Sequence, residues 1–198
     1  LAQMVRDPYL VFFNHFNEEN NWKGVTLKEE DILFCKAVTR QFLRYSPVAI
    51  VKEVNPLLDY GLPKEWIYSH IGGHPITVSV KGRERQLSGF GRRCSLVLAD
   101  KDSGQPEDNP LMGLFQAYII PDIKEQDWDR VGQAEHMSIE VFPTLNERLY
   151  LCFLYGKNIN PEQDISLGKP LPDDYETYID ILTNSPEARR LYLGEHEE

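Results

Sequence analysis

Only three cysteines occur in the 198 residues, Cys35, Cys94 and Cys152, and no two are close enough to form a CxxC pair. So sparse and odd a set excludes a disulfide framework and a cysteine zinc ribbon, and predicts reduced, packed thiols. Long apolar runs are also missing: none approaches the roughly 18–20 residues needed to span a bilayer. The opening LAQMVRDPYLVFF has no basic segment followed by an apolar one and a small-residue cleavage site, so no secretory leader is expected there. These absences predict a cytoplasmic protein with no membrane partner. Catalytic fingerprints are absent as well. There is no GxSxG elbow, no glycine-rich loop ending in Lys-Ser/Thr and no HExxH, so no catalytic residue, metal ligand or cofactor is assigned. No internal repeat is visible.

What is present is an ordinary globular composition with an uneven charge. A hydrophobic fraction of 41%, with ten Tyr and nine Phe, is enough to build a core and argues against disorder. The net charge is −10, but residues 1–99 carry net +3 and residues 100–198 net −13. Between Lys81 and Arg93 stand five cations (Lys81, Arg83, Arg85, Arg92 and Arg93) against one acid, Glu84. Local charge of this kind steers partners, whereas net charge mainly sets solubility.

Hydrophobic periodicity suggests helices, then strands, then helices. Asp7-Pro8 followed by Tyr9, Phe12, Phe13 and Phe16 predicts an N-terminal helix, with a strand over 10–13 as the competing reading. Thr26 and Glu29 form a capping-box pattern. Behind them Leu27, Phe34, Val38, Phe42 and Tyr45 predict a helix over about 27–44, stopped by Ser46-Pro47, with Glu29, Lys36, Arg40 and Arg44 on its polar face. Residues 49–54 read as a strand or loop, and Asn55-Pro56 and Leu62-Pro63 as short helical turns. From residue 75 the period becomes 2: Ile76, Val78 and Val80 predict a strand, Lys81–Glu84 its turn, and Arg85–Phe90 the return. Cys94–Ala99, apolar on both faces, reads as a central strand; Leu114–Ile120 and Met137–Phe142 follow, the last with Met137, Ile139 and Val141 inward. Leu149–Tyr155 predicts a further buried strand, entered through a hairpin at Pro143–Glu147. Asn158–Leu171 lacks periodicity and reads as a surface crossing. Pro172 starts a helix with Tyr175, Tyr178, Ile179 and Leu182 buried, and Ser185-Pro186 starts another. The expected fold is one α+β domain over 1–198, helical over 1–72, with a mostly antiparallel sheet of about five to six strands over 75–156 and a helical tail over 172–194.

The basic cluster is the first candidate site. On a β-ribbon alternate side chains share a face, so Lys81, Arg83 and Arg85 project together and Arg92 or Arg93 can join them. Arginine forks match paired carboxylate or phosphate oxygens, and Phe90 within Ser88-Gly89-Phe90-Gly91 adds an apolar contact. The competing reading is a solvated hairpin whose cations pair with acids of the same chain. Asp100 and Asp102 resemble half a calcium loop, but the third acidic ligand before the glycine and the distal Glu are missing. His70 and His74 stand four apart, as two ligands on a helix would, but Gly72-Gly73 between them argues against a helix. Cys94 and Cys152 lie in core-like runs. The acids of Asp122–Asp129 read as a solvated connection around a buried Trp128. The Phe-rich N-terminus and Leu191-Tyr192-Leu193 either dock on the sheet or meet a partner.

The sequence therefore points to a non-catalytic interaction or regulatory domain. It would recognise an acidic protein partner, or a second copy of itself, through Lys81, Arg83, Arg85, Phe90, Arg92 and Arg93. Two alternatives remain at this stage. One is a small-molecule or nucleotide-binding enzyme with His70, His74, Asp100 and Asp102 near a pocket. The other is RNA or single-stranded DNA binding, a smaller prospect because the second half of the chain would repel a phosphate backbone.

Overall fold

Seven consecutive residues, Ile32–Val38, form a strand buried along nearly its whole length, and this strand organises the N-terminal part of the protein. In the computed structural model, residues 1–19, 21–46, 49–70, 74–99 and 115–183 are described. The chain divides into two compact units, each built from two stretches of sequence: 1–62 with 139–159, and 63–138 with 160–198. Among the described residues the architecture is mixed α+β, with two four-stranded sheets, one two-stranded sheet and five α-helices.

The first unit contains β1 (Ala2–Arg6), β2 (Tyr9–Phe13), β3 (Ile32–Val38), α1 (Arg40–Tyr45), β10 (Ile139–Glu140) and α3 (Phe142–Tyr155). Its sheet order is β1-β2-β3-β10; the first three strands are antiparallel and β10 runs parallel to β3. The expected N-terminal helix is a hairpin turning at Asp7-Pro8, the competing strand reading. Every residue of β2 is buried, so a one-sided helical stripe could not house Tyr9–Phe13.

The expected 27–44 helix is overturned for the same reason. Glu29–Asp31 is a single 3-10 turn and 32–38 is strand; helix resumes only at Arg40. Phe34 pairs with Phe12 across the sheet, rings stacked at 4.7 Å. Thr26 caps no helix: its hydroxyl accepts from Asn55 Nδ2 at 3.0 Å, and the two residues form a parallel bridge. That bridge also replaces the turn expected at Asn55-Pro56.

The predicted Leu149–Tyr155 strand and its hairpin are one 14-residue helix, α3. Pro143 lies in its first turn and Gly156, at φ +62, ends it. Leu145, Arg148, Leu151 and Cys152 face inward at helical spacing, whereas Tyr150, Phe153, Leu154 and Tyr155 are exposed. Ile139 and Val141, expected inward, are exposed too.

The second unit contains β4 (Glu65–His70), β5 (Ile76–Val80), β6 (Arg83–Leu87), β7 (Arg93–Ala99), β8 (Phe115–Ile120), α2 (Trp128–Val131), β9 (Glu135–His136), α4 (Pro161–Ser166) and α5 (Glu176–Thr183). One sheet has the order β8-β7-β4-β9, with β9 parallel to β4; β5 and β6 form a separate ribbon. The central position expected for Cys94–Ala99 is observed. Ile67, Cys94, Leu96, Ile123 and Val131 form a core, with Trp128 and Leu167 packed on it. The turn expected at Leu62-Pro63 leads instead into β4, so the described residues of 1–72 hold four strands and one short α-helix where helix was expected. The surface crossing expected over 158–171 contains α4, whose Pro161, Gln163, Ile165 and Ser166 are buried. Tyr175, Tyr178 and Ile179 are buried as expected, and Leu182 is half-buried. A single, mostly antiparallel sheet is therefore replaced by three sheets, the two larger ones mixed. The residues expected to continue the tail, Ser185, Pro186 and Leu191–Leu193, lie outside the described residues.

Candidate functional site

The basic ribbon is built by a two-residue turn. Lys81 and Gly82 both have positive φ, +49 and +69. Such a turn matches the right-handed twist of the flanking strands and pairs Val80 directly with Arg83. The return strand therefore starts at Arg83, two residues earlier than expected, and stops at Leu87. Phe90 falls beyond it, half-buried. Ile76, Val80 and Leu87 bury the ribbon's inner face.

Three of the five cations are held within the protein. Lys81 Nζ donates to Glu176 Oε2 at 2.5 Å, Arg83 Nη1 reaches Glu176 Oε1 at 3.5 Å, and Arg85 Nε reaches Asp180 Oδ1 at 3.4 Å. Both acids lie on α5. The hydrogen bond from Lys81 holds the Glu176 carboxyl below its usual range and raises the lysine in return. Lys81 and Arg83 are exposed and Arg85, Glu176 and Asp180 half-buried, so solvent screens the pairs, which orient α5 against β6 more than they stabilise it. Arg92 and Arg93 are exposed and make no ion pair among the described residues. The hydrogen bond from Lys124 lowers the Asp122 carboxyl, and the nearby charge of Arg93 adds a smaller contribution.

Beside the ribbon lies a cavity of about 530 Å³. It is lined on one side by Ile76, Thr77, Val78 and Ser79, on the other by the 165–171 segment, with Arg92 also contributing. This groove had no signature in the sequence, because its far wall is the segment read as an unpatterned surface crossing.

The other candidates separate. Ser95 Oγ donates to the Pro121 carbonyl at 2.6 Å, and its single proton is thereby used. His70 Nε2, at 2.8 Å from the same oxygen, must then be the donor to it. His74 is exposed, Ile71–Gly73 are outside the described residues, and Asp100 and Asp102 are outside them as well. No group of three or more metal-ligating side chains occurs among the described residues.

A polar set that sequence reading missed joins Ser69 Oγ to His136 Nδ1 at 3.0 Å and to Cys94 Sγ at 3.6 Å. Burial pushes the Cys94 thiol up, opposite to what a nucleophile needs. Its S–H points to the Ser166 carbonyl at 3.7 Å, so this set ties β4, β7 and α4 together. All three cysteines are buried and none forms a disulfide among the described residues. In the acidic connection, the Asp127 carboxylate accepts from the Lys124 backbone N–H at 2.9 Å, and Arg130 forms a fork with Glu65 at 2.8 Å on both arms. Trp128 is half-buried there.

No protein-family model, curated protein or solved structure matches this chain. No helix among the described residues is long and apolar enough to cross a membrane.

Proposed function

We propose that this chain is a non-catalytic interaction module that recognises an acidic partner protein through the surface around the β5–β6 ribbon. One observation carries this reading: the five cations between Lys81 and Arg93 divide. Lys81, Arg83 and Arg85 are held by Glu176 and Asp180, whereas Arg92 and Arg93 stand exposed with no ion pair among the described residues. In a chain of net charge −10, cations that no acid of the described residues holds in an ion pair are available to a partner's carboxylates. Arg92 and Arg93 are the electrostatic anchors and Phe90 the apolar one. Lys81, Arg83 and Arg85 shape the surface and add to its potential. Charge at such a surface sets association rate and specificity more than affinity.

The test is a pull-down from host lysate, with and without nuclease, using wild type, Arg92→Glu/Arg93→Glu and Arg83→Glu/Arg85→Glu. A protein that survives nuclease, is lost in the first variant and weakens with salt is the expected result. Equal recovery by wild type and Arg92→Glu/Arg93→Glu would overturn the reading. Recovery of nuclease-sensitive material alone would replace it with nucleic-acid binding.

A further inference from the structure

We propose that the outer edge of β5 is a strand-addition site, where an extended acidic segment of the partner protein pairs with the backbone of Thr77 and Ser79. This deepens the proposed function and rests on it for the acidity of the occupant.

The argument starts from register. In a hairpin with a two-residue loop, the residues flanking the loop exchange both backbone hydrogen bonds, and the pattern then alternates. Val80 pairs with Arg83, so Val78 with Arg85 and Ile76 with Leu87 are the other bonded pairs. The N–H and C=O groups of Thr77 and Ser79 therefore point away from β6. No strand or backbone partner meets them there among the described residues. Four ladder groups lie along one edge, enough for a segment of about five residues at roughly 3.3 Å each.

The groove lies on that edge. Successive side chains of a strand alternate between faces, so a cavity touching four residues in a row, Ile76 to Ser79, runs beside the strand rather than over one face. At about 530 Å³ it falls within the roughly 300–1,000 Å³ range of ligand sites. Its far wall is firmly built. Gly168, at φ +70, ends α4, with its N–H donating to the Ile165 carbonyl at 3.1 Å and that of Lys169 to the Asp164 carbonyl at 2.9 Å. The Asp164 carboxylate accepts from Lys169 Nζ at 2.9 Å and from the Tyr175 hydroxyl at 2.7 Å.

The two strands of the ribbon differ in how their edges are protected. Natural sheets blunt exposed edges with charge, proline or bulges. β6 carries Arg83, Glu84 and Arg85, whereas β5 reads Ile-Thr-Val-Ser-Val, with no charge, no proline and a regular register. The edge without protection is the one that borders the groove. Charge then selects the occupant: the lining holds no carboxylate, and of its two cations Lys169 is held by Asp164, whereas Arg92 makes no ion pair among the described residues. Backbone pairing supplies affinity and Arg92 reads an acidic side chain.

The test uses the full chain, ¹⁵N-labelled, and a capped eight-residue peptide of alternating valine and threonine with a glutamate near each end. Two control peptides carry lysine for glutamate, or N-methyl groups on alternate amides along one edge. The glutamate peptide should shift the Thr77 and Ser79 amides and slow their hydrogen exchange. Both controls should bind at least about tenfold more weakly. Ser79→Pro removes one outward N–H and no β5–β6 bond, so it should abolish binding and leave the Val78 and Val80 amides protected. If that variant misfolds, the N-methylated peptide asks the same question of the wild type. Thr77 and Ser79 amides already protected in the free protein would overturn the inference, because the chain itself or a second copy would occupy the edge. So would amides unmoved by the glutamate peptide up to about 1 mM. Loss of the pulled-down partner in Arg92→Glu/Arg93→Glu but not in Ser79→Pro would sink strand addition and leave the proposed function standing. Loss in Ser79→Pro alone would overturn the acidic occupant together with the cationic reading.

Discussion

Glu147 sits half-buried on α3, and burial raises its carboxyl above the ordinary value. Its folded pKa thus exceeds its unfolded one, so the neutral form favours folding. That contribution is present below the unfolded value of 4.5 and is lost as pH rises through the folded one. Glu147→Gln should raise the melting temperature at pH 7 by roughly 1–2 °C after allowance for solvent screening, with no difference near pH 3. Thermal melts of the two proteins at both pH values check this, and a variant equally stabilised at pH 3 would contradict it. At this scale, charge type was legible in the sequence and charge environment was not. Lys36 was expected on a solvated helix face, yet it is fully buried. Arg148, expected near a hairpin, is also fully buried, donating to the Ile159 carbonyl at 2.9 Å and lying 3.7 Å above the Phe34 ring. Long cationic side chains carry apolar stems, so residue type alone does not say whether the head or the stem decides their place.

At the scale of elements, the ribbon was the most legible feature, because strict alternation over Ile76–Val80 followed by Lys-Gly has few other solutions. Gly82, at φ +69, carries that turn. Gly82→Ala should destabilise the protein by about 1–2 kcal/mol through left-handed backbone strain, since no atom lies within 4 Å of the added carbon. Chemical denaturation measures it; a cost near zero would mean that the turn relaxes into another type. The long apolar runs were the least legible. Over 149–155 every residue is apolar or aromatic, and over 32–38 all but Lys36 are apolar, so neither run alternates cleanly and the period favours the wrong element in each. Ile32–Val38 became a strand because β2 and β10 supply partners on both edges. Residues 149–155 became helix because Pro143 starts one upstream and Gly156 ends it.

At the scale of the molecule, both compact units are discontinuous in sequence. Residues 1–62 alone lack β10, the partner of one edge of β3, and lack Leu145, Leu151 and Cys152 of α3. A 1–62 fragment should therefore remain unfolded, with a collapsed amide spectrum by NMR. Dispersed amide signals from the isolated fragment would show that the second stretch is dispensable.

Composition, patterning and charge by themselves determined that the chain has a core, that it mixes helix and strand, and that the cationic stretch over 81–93 begins at the turn of a hairpin. These properties depend on neighbours within a few residues. Only the tertiary structure decided which cations are already paired, which apolar run is helix, and that the edge of β5 faces a groove. Glu176 and Asp180 lie more than ninety residues from the arginines they hold, and α4 is comparably far from β5. No local pattern encodes a contact made at that separation, because which distant partner a group meets is set by how the whole chain packs.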